Sequence, residues 1–571
     1  MPSLRLTYRG IPSLFLSFFI SVFVISCQNS GSSSGEDPEI LTEIDSSYYA
    51  MNPMDLQFDA IEQTMIDSGM AELIEAYREI RAYGLPNSTP PAIQFNPLPY
   101  GFDLAEPTPK IQWEIPQGIA KPSWEADLAF MSIPELASLI HSREISCLAL
   151  TEFFLNRLKK YDPQLHCVVT LTEEYAIEQA KKMDAELAAG KDRGILHGIP
   201  FGAKDLFAFP GYPTTWGAGA YKDQVLDETA GIIKKLEEAG AVLLAKTTLG
   251  ALAMGDVWFA DTTRNPWNLE EGSSGSSAGS ASATSAGLLP FAIGTETWGS
   301  IVSPSTKCGT TGLRPTYGRV SRSGAMALSW SMDKVGPICR SATDCAIVFD
   351  AIRGLDPADK TLIEAGFSYP GEVDLSTLRI GYFKSAFDKD YGVSSFDKQS
   401  LRTLKKLGAE LIPLELDGDE LPYYAMSIIL EAEAAAAFDE LTRSNRDTLL
   451  VRQHRYAWPN LFRTARYITA VEYIQANRIR HDLIEDYNQR LQDFDVVVTP
   501  SFEGGNQLLA TNLTGHPVVV VPNGFKESGS PTSISFLGNL FDEGSILAVA
   551  AAYQDATSFN KKRPAAFNRA D

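Results

Sequence analysis

The stretch Glu271–Gly318 reads EGSSGSSAGSASATSAGLLPFAIGTETWGSIVSPSTKCGTTGLRPTYG, and the rest of the chain is organised around it. Its first run, Gly272 to Ser285, is crowded with Gly and Ser and poor in large apolar side chains. It has neither the alternation of an ordinary strand nor the apolar face of an amphipathic helix, so a tightly turning backbone with free amides is expected. A loop of free N–H groups suits an anion. The apolar run Leu288 to Ile293 then enters a second Gly/Ser turn, Gly294 to Ser300, where an exposed hydroxyl would meet a cluster of backbone donors. Acyl transfer needs that arrangement.

At these residues the chain resembles the amidase signature family, the serine hydrolases that include peptide amidases, fatty acid amide hydrolases and the glutamyl-tRNA amidotransferase A subunit. The family pattern runs GGSSGGSA, then GTDTGGSI, then CGxxGLKPTYGRVS; the pieces here are Ser274 to Ala281, Gly294 to Ile301 and Cys308 to Ser321. A further anchor lies upstream at Gly198 to Phe207, GIPFGAKDLF. By position, the resemblance implies Ser300 as nucleophile, Ser276 as bridging serine and Lys204 as general base. It also implies an oxyanion hole formed by the amides of Thr297, Trp298, Gly299 and Ser300, a cis peptide at Gly275–Ser276, and no metal or cofactor.

The chemistry explains those residue types. A serine hydroxyl is a poor nucleophile until something takes its proton, and lysine can do so only when neutral. From a reference pKa near 10.4, neutrality at pH 7 requires on the order of 4 to 5 kcal/mol, which burial can supply. Lys204 is therefore expected to be enclosed, in keeping with the apolar Ile199, Pro200 and Phe201 before it. Ser276, donor and acceptor at once, can pass the proton between Ser300 and Lys204. Two residues depart from the family pattern: Trp298 stands where most members have Gly, and Val302 where most have Arg. An amide donor needs only a backbone, so Trp298 is expected to reshape the acyl pocket and leave the oxyanion hole in place. The TETxGSIV spelling resembles the peptide amidase branch more than the tRNA amidotransferase branch.

At 571 residues, 44% hydrophobic, the chain has material for a large core. Its 71 acids against 49 bases leave a net charge of −22, which disfavours a nucleic-acid partner. The first 26 residues combine Arg5 and Arg9 with the apolar run Ile11 to Ile25, the layout of a secretory signal and too short for a comfortable membrane span. VISC at Val24 to Cys27, followed by a Ser/Gly stretch, resembles a bacterial lipoprotein signal. That resemblance implies lipidation of Cys27, a membrane contact through the lipid anchor only, and a place in the bacterial cell envelope, periplasmic or at the cell surface. The expected domains are a signal at 1–26, a flexible tether at 27–48, a helical and Pro-rich extension at 49–123 and an amidase domain at 124–571. Oligomeric state is not readable.

Met54 to Tyr83 has helical spacing with a Met-rich apolar stripe, read as core, and the Pro-dense Leu85 to Pro122 reads as an extended segment packed over another surface. Ser132, Pro134 and Glu135 mark a helix start with a capping box. Helices are expected at Leu148 to Leu158, Ala176 to Leu187, Thr229 to Glu238, Ile428 to Leu441 and Val471 to Leu491. Buried strands are expected at Val242 to Ala245, Leu378 to Phe383, Val496 to Val498 and Val518 to Val521. The class is α/β, and the resemblance implies a large mixed sheet flanked by helices. Past the signal, none of the remaining cysteines forms a CxxC pair; Cys339 and Cys345 lie close enough to pair but read as buried thiols, and Cys308 as packing.

Other readings compete. Gly275, Ser277 and Gly279 spell the G-x-S-x-G nucleophile elbow of an α/β-hydrolase esterase with His516 downstream, but that elbow needs a preceding strand and PWNLEEGSS is a poor one. Ser331 to Lys334 spells S-x-x-K with no K-T-G to follow, and Gly31 to Gly35 matches the elbow spelling by composition. Lys246 reads as scaffold or electrostatics, and His516 as a structural hydrogen-bonder. A lipid-anchored solute-binding protein without catalysis is the rival from a different class. The reading carried forward is an amidase that hydrolyses a peptide or acyl carboxylic amide to acid plus ammonia or amine through an acyl-Ser300 intermediate.

Overall fold

The computed structural model describes isolated positions between residues 60 and 82, then residues 86–568 apart from 90, 92, 416–420, 424 and 504. The expected signal, tether and Cys27 lie outside the described residues. Among the described residues thirteen strands form: β1 (Val168–Leu171), β2 (Pro200–Lys204), β3 (Val242–Thr247), β4 (Arg264–Asn265), β5 (Asn268–Gly272), β6 (Phe291–Glu296) and β7 (Thr311–Arg314) come first. They are followed by β8 (Lys334–Cys339), β9 (Ile380–Phe383), β10 (Leu411–Leu414), β11 (Val496–Pro500), β12 (Val518–Phe525) and β13 (Pro531–Leu537). Eleven of them build one mixed sheet in the order β1-β3-β2-β6-β8-β7-β12-β13-β11-β9-β10. Strands β2, β3, β6, β8 and β11 are buried along their whole length. Burial on both faces is why they read as apolar runs without alternation: helices cover the sheet above and below.

The capping box forms as expected. Ser132 N donates to Glu135 Oε2 at 2.7 Å while the Ser132 hydroxyl accepts from Glu135 N, opening the helix Ile133–His141. Helices also form at Cys147–Leu165, Glu173–Ala188, Gly231–Glu238 and Ala470–Leu491; the first runs about two turns past the expected Leu158, and the others differ by a turn or less at their ends. The stretch expected as one helix from Ile428 breaks at Phe438 into Ile428–Ala437 and Asp439–Arg443. All five cysteines among the described residues are buried and free, so Cys339 and Cys345 do not pair.

Three expectations are corrected. Residues Ala278–Ser285 form a helix, where a turning loop with free amides was expected. It is buried all round, and small side chains permit that: a Cβ on Gly279 would fall 2.2 Å from the Cys167 carbonyl and 2.4 Å from Thr248 N. A helix with no apolar face escapes a periodicity argument because close backbone approach, rather than an amphipathic stripe, holds it. The residues before it do form a strand, β5, but in a two-stranded hairpin with β4 outside the main sheet. Finally, described positions of the Met-rich stretch are helical but exposed, with Ile61, Met70 and Ile74 at 72%, 42% and 42% exposure, against the reading of that stripe as core.

The Pro-dense segment is an extended strap lying on the residues that follow it in the chain. Asp350 accepts from Ile111 N at 2.8 Å and Trp113 Nε1 at 3.2 Å, and the Lys110 ammonium donates to the carbonyls of Asp350 and Arg353. Among the described residues no helix is long and apolar enough to cross a membrane.

Candidate active site

The parallel neighbours β2 and β6 bring two of the motifs to one sheet edge. Ala203 lies opposite Ile293, so Lys204 at the end of β2 stands beside Thr295 and Glu296 at the end of β6. Carboxyl ends of parallel strands are where α/β sheets place their sites. The helix Ala278–Ser285 starts at the same edge, immediately after Ser276 and Ser277, and the Gly275–Ser276 peptide before it is cis.

Lys204 is fully enclosed. Its Nζ lies 2.8 Å from Ser276 Oγ, 3.1 Å from Ser277 Oγ, 2.9 Å from Thr295 Oγ1 and 3.3 Å from the Thr295 carbonyl. Burial lowers the Lys204 ammonium to about 7, against a smaller opposing pull from Asp333 and Glu296. At neutral pH a large part of this lysine therefore carries a free lone pair. Ser277 is committed elsewhere: its hydroxyl accepts from Thr295 N and donates to the Thr295 carbonyl, each at 3.1 Å, and it is wholly buried. Ser276 has the Lys204 amine as its hydrogen-bond partner.

Ser300 follows in the turn after β6, 9% exposed, with its carbonyl taking the Ser277 amide at 3.1 Å. Gly299 adopts φ +84°, a left-handed conformation that a side chain would strain, and this bends the turn that carries Ser300. Among the described residues no acceptor takes the amides of Thr297, Gly299 or Ser300, whereas those of Ile301 and Val302 go to Glu296 Oε2 at 2.8 and 2.9 Å. Trp298 is half-buried and packs against the main core.

Two carboxylates that the sequence reading left without a role hold this turn. Glu296 is fully buried, and its Oε1 takes Arg314 Nη1 at 2.7 Å and Asn512 Nδ2 at 2.8 Å. Burial alone would raise its carboxyl, but the Arg314 charge and the Val302 amide outweigh that and hold it at about 2. Asp333 takes the Thr297 hydroxyl at 2.5 Å on one oxygen and the amides of Leu328 and Ser329 at 2.9 and 3.0 Å on the other. A signal for both existed: a charge inside an apolar run must find partners.

The rival constellations do not assemble. His516 is buried, bonds Thr514 Oγ1 at 2.7 Å and is lowered by burial to about 3. Ser331 bonds Glu433 while Lys334 donates to the Met332 carbonyl. Lys246 forms a buried ion pair with Asp205 at 2.7 Å and bonds Thr214 Oγ1 at 2.9 Å, as a scaffold residue would. Among the described residues no cluster of His, Cys, Asp and Glu is arranged to hold a metal.

Residues 149–506 match the amidase family, described simply as "Amidase". The chain belongs to the amidase family. It is 33% identical over 484 residues to the glutamyl-tRNA(Gln) amidotransferase A subunit of Thermoanaerobacter pseudethanolicus, covering 76% of this chain and 98% of that one. The same protein of Halorhodospira halophila is 34% identical over 482 residues, 76% of this chain and 99% of its own. Among solved structures, the native peptide amidase of Stenotrophomonas maltophilia superposes with a TM-score of 0.67 at 28% identity, over 76% of this chain and 98% of that one. An amidase family protein of Bacillus anthracis gives 0.68 at 26% identity, over 77% and 93%. The expected leaning toward the peptide amidase branch is corrected: the amidotransferase proteins are nearer in sequence than that peptide amidase, and a few letters of TETxGSIV weigh little against 484 aligned residues.

Proposed function

We propose that this amidase hydrolyses a carboxylic amide to acid plus ammonia or amine, with Ser300 as nucleophile, Ser276 as proton relay and Lys204 as base. The observation that carries the reading is an enclosed lysine, lowered to about 7, at 2.8 Å from Ser276 beside the Ser300 turn. Neutral lysine has one lone pair and two N–H groups, so the Ser276 hydroxyl can donate to Nζ and accept from Ser300 at once. As Ser300 Oγ bonds the carbonyl carbon, its proton moves to Ser276 and the Ser276 proton moves to Lys204. The oxyanion that forms is met by the amides of Thr297 to Ser300, each donor contributing roughly 3 to 4 kcal/mol in hydrolases of this kind. When the C–N bond breaks, the same relay returns a proton to the leaving nitrogen, and water then releases the acid from Ser300. Incubation with a fluorophosphonate and mass spectrometry should place the adduct on Ser300 in the wild type and abolish it in Ser300→Ala, with amide turnover lost as well. An adduct on Ser277 would overturn the assignment.

A second reading is amide transfer, favoured by the names of the two amidotransferase relatives. The net charge of −22 weighs against a tRNA partner. Release of free ammonia from a simple amide by this chain alone supports hydrolysis, and turnover confined to glutamine in the presence of a partner supports transfer. We also propose attachment to the cell envelope through lipidated Cys27. Metabolic labelling with a fatty-acid analogue should mark the wild type and not Cys27→Ser; equal labelling of both would remove the anchor.

A further inference from the structure

The strap precedes residues 149–506, the part matched to the family, yet it reaches the walls of the active site. We propose that Asn87 is a positioning residue of the active site, clamping the loop of residues 324–333 that joins the Lys204 turn to the Ser300 turn. The inference rests on the roles proposed for those two residues.

The loop touches both halves of the chemistry. On the base side, Met326 N donates to the Leu206 carbonyl at 3.0 Å, Ala208 N to the Gly324 carbonyl at 2.7 Å, and Phe207 pairs with Ala325 in an antiparallel bridge. These partners lie two to four residues after Lys204. On the oxyanion side, the Leu328 and Ser329 amides close on Asp333, whose other oxygen takes the Thr297 hydroxyl. Between them sits Ala327, and its peptide groups are gripped by one side chain. Asn87 Nδ2 donates to the Ala327 carbonyl at 2.9 Å, Asn87 Oδ1 accepts from Ala327 N at 2.8 Å, and Nδ2 also reaches the Ala437 carbonyl at 3.4 Å. A primary amide carries donor and acceptor side by side, so it can pair with a peptide as a neighbouring strand would. A second strap residue holds the far end: the Phe95 ring lies 3.6 Å from the Arg480 guanidinium, which donates to Ser331 Oγ at 2.9 Å and the Ser331 carbonyl at 2.8 Å.

Misplacing catalytic groups by about 1 Å can cost on the order of 10²-fold in rate, so a loop that registers base against oxyanion donors is a sensitive place for a clamp. The test is the kinetics of fluorophosphonate labelling on the full chain. A destabilised enzyme labels to a lower endpoint at an unchanged rate constant, whereas a mispositioned one labels fully but slowly. Asn87→Ala should reach the wild-type endpoint with a rate constant lower by about 10-fold, with kcat falling in step and KM moving far less. The control is Asn96→Ala in the same strap, whose Oδ1 accepts from Leu98 N two residues away, and it should behave as wild type. Should Asn87→Ala not fold, Asn87→Asp, which keeps the acceptor and loses both donations, is read on the same scale. An unchanged rate constant for Asn87→Ala, a loss confined to the endpoint, or an equal loss in Asn96→Ala would overturn the proposal. Failure of the wild type to label at Ser300 would instead overturn the functional reading.

Discussion

Lys204→Met should lower kcat by on the order of 10³-fold and erase the rise of activity through neutral pH. Methionine has nearly the length of the lysine stem and can fill the enclosed slot it leaves, so packing is largely kept. What disappears is the lone pair. Because burial lowers the Lys204 ammonium to about 7, the wild-type kcat/KM should climb as pH rises through 7 and level off above it. The sign follows from the role: the base works when deprotonated, so protonation below pH 7 removes it, about tenfold per pH unit. Asp397, which burial raises to about 6, titrates on the acid side of that limb and does not account for it. In Lys204→Met the residual rate should show no step near 7. The measurement is ammonia release from a simple amide between pH 5 and 9, with the Ser300 labelling rate followed in parallel. A variant that keeps the neutral step, or loses less than tenfold, would place the base elsewhere.

Much of this geometry was legible as residue types before it was visible as distances. The demand that a lysine act as base implied enclosure, and Lys204 is enclosed; the Ser132–Glu135 capping box and the αβ step from Gly231–Glu238 into β3 were readable because local rules decide them. Ala278–Ser285 was not readable as a helix, because it is held by close backbone approach to Cys167 and Thr248, which no periodicity records. Glu296 and Asp333 were passed over for a similar reason. Their partners lie on other strands and loops: Arg314 on β7, Asn512 in the helix Gln507–Thr514, and Thr297 across the turn. The strap could be read as extended and docked, but its contacts with Ala327 and Arg480 span more than 200 residues of sequence and are set by tertiary structure alone.

Glu296→Ala should be the most damaging substitution near the site that touches no reacting atom. It leaves the Arg314 guanidinium, wholly buried, without its counter-charge, and strands the amides of Ile301 and Val302 and the Asn512 side-chain amide. Removing one partner of a buried pair costs about 3 to 5 kcal/mol, far more than deleting the pair together. The same carboxylate fixes the start of the helix Val302–Cys308 and so the turn that carries Ser300, which means stability and labelling should fall together. Glu296→Ala/Arg314→Met separates the two contributions. The double variant should regain most of the lost unfolding free energy, because no charge is left uncompensated, yet label slowly, because the Ile301 and Val302 amides still lack their acceptor. The pH dependence has a definite sign as well. A carboxyl held at about 2, below its ordinary 4.5, contributes stability that is complete above the ordinary value and is lost as pH falls toward 2. Wild-type unfolding by denaturant should therefore become easier below pH 4.5 by more than it does in the double variant. If the double variant is no more stable than Glu296→Ala, the loss comes from the stranded amides and not from Arg314, and the ion pair is not what holds the Ser300 turn.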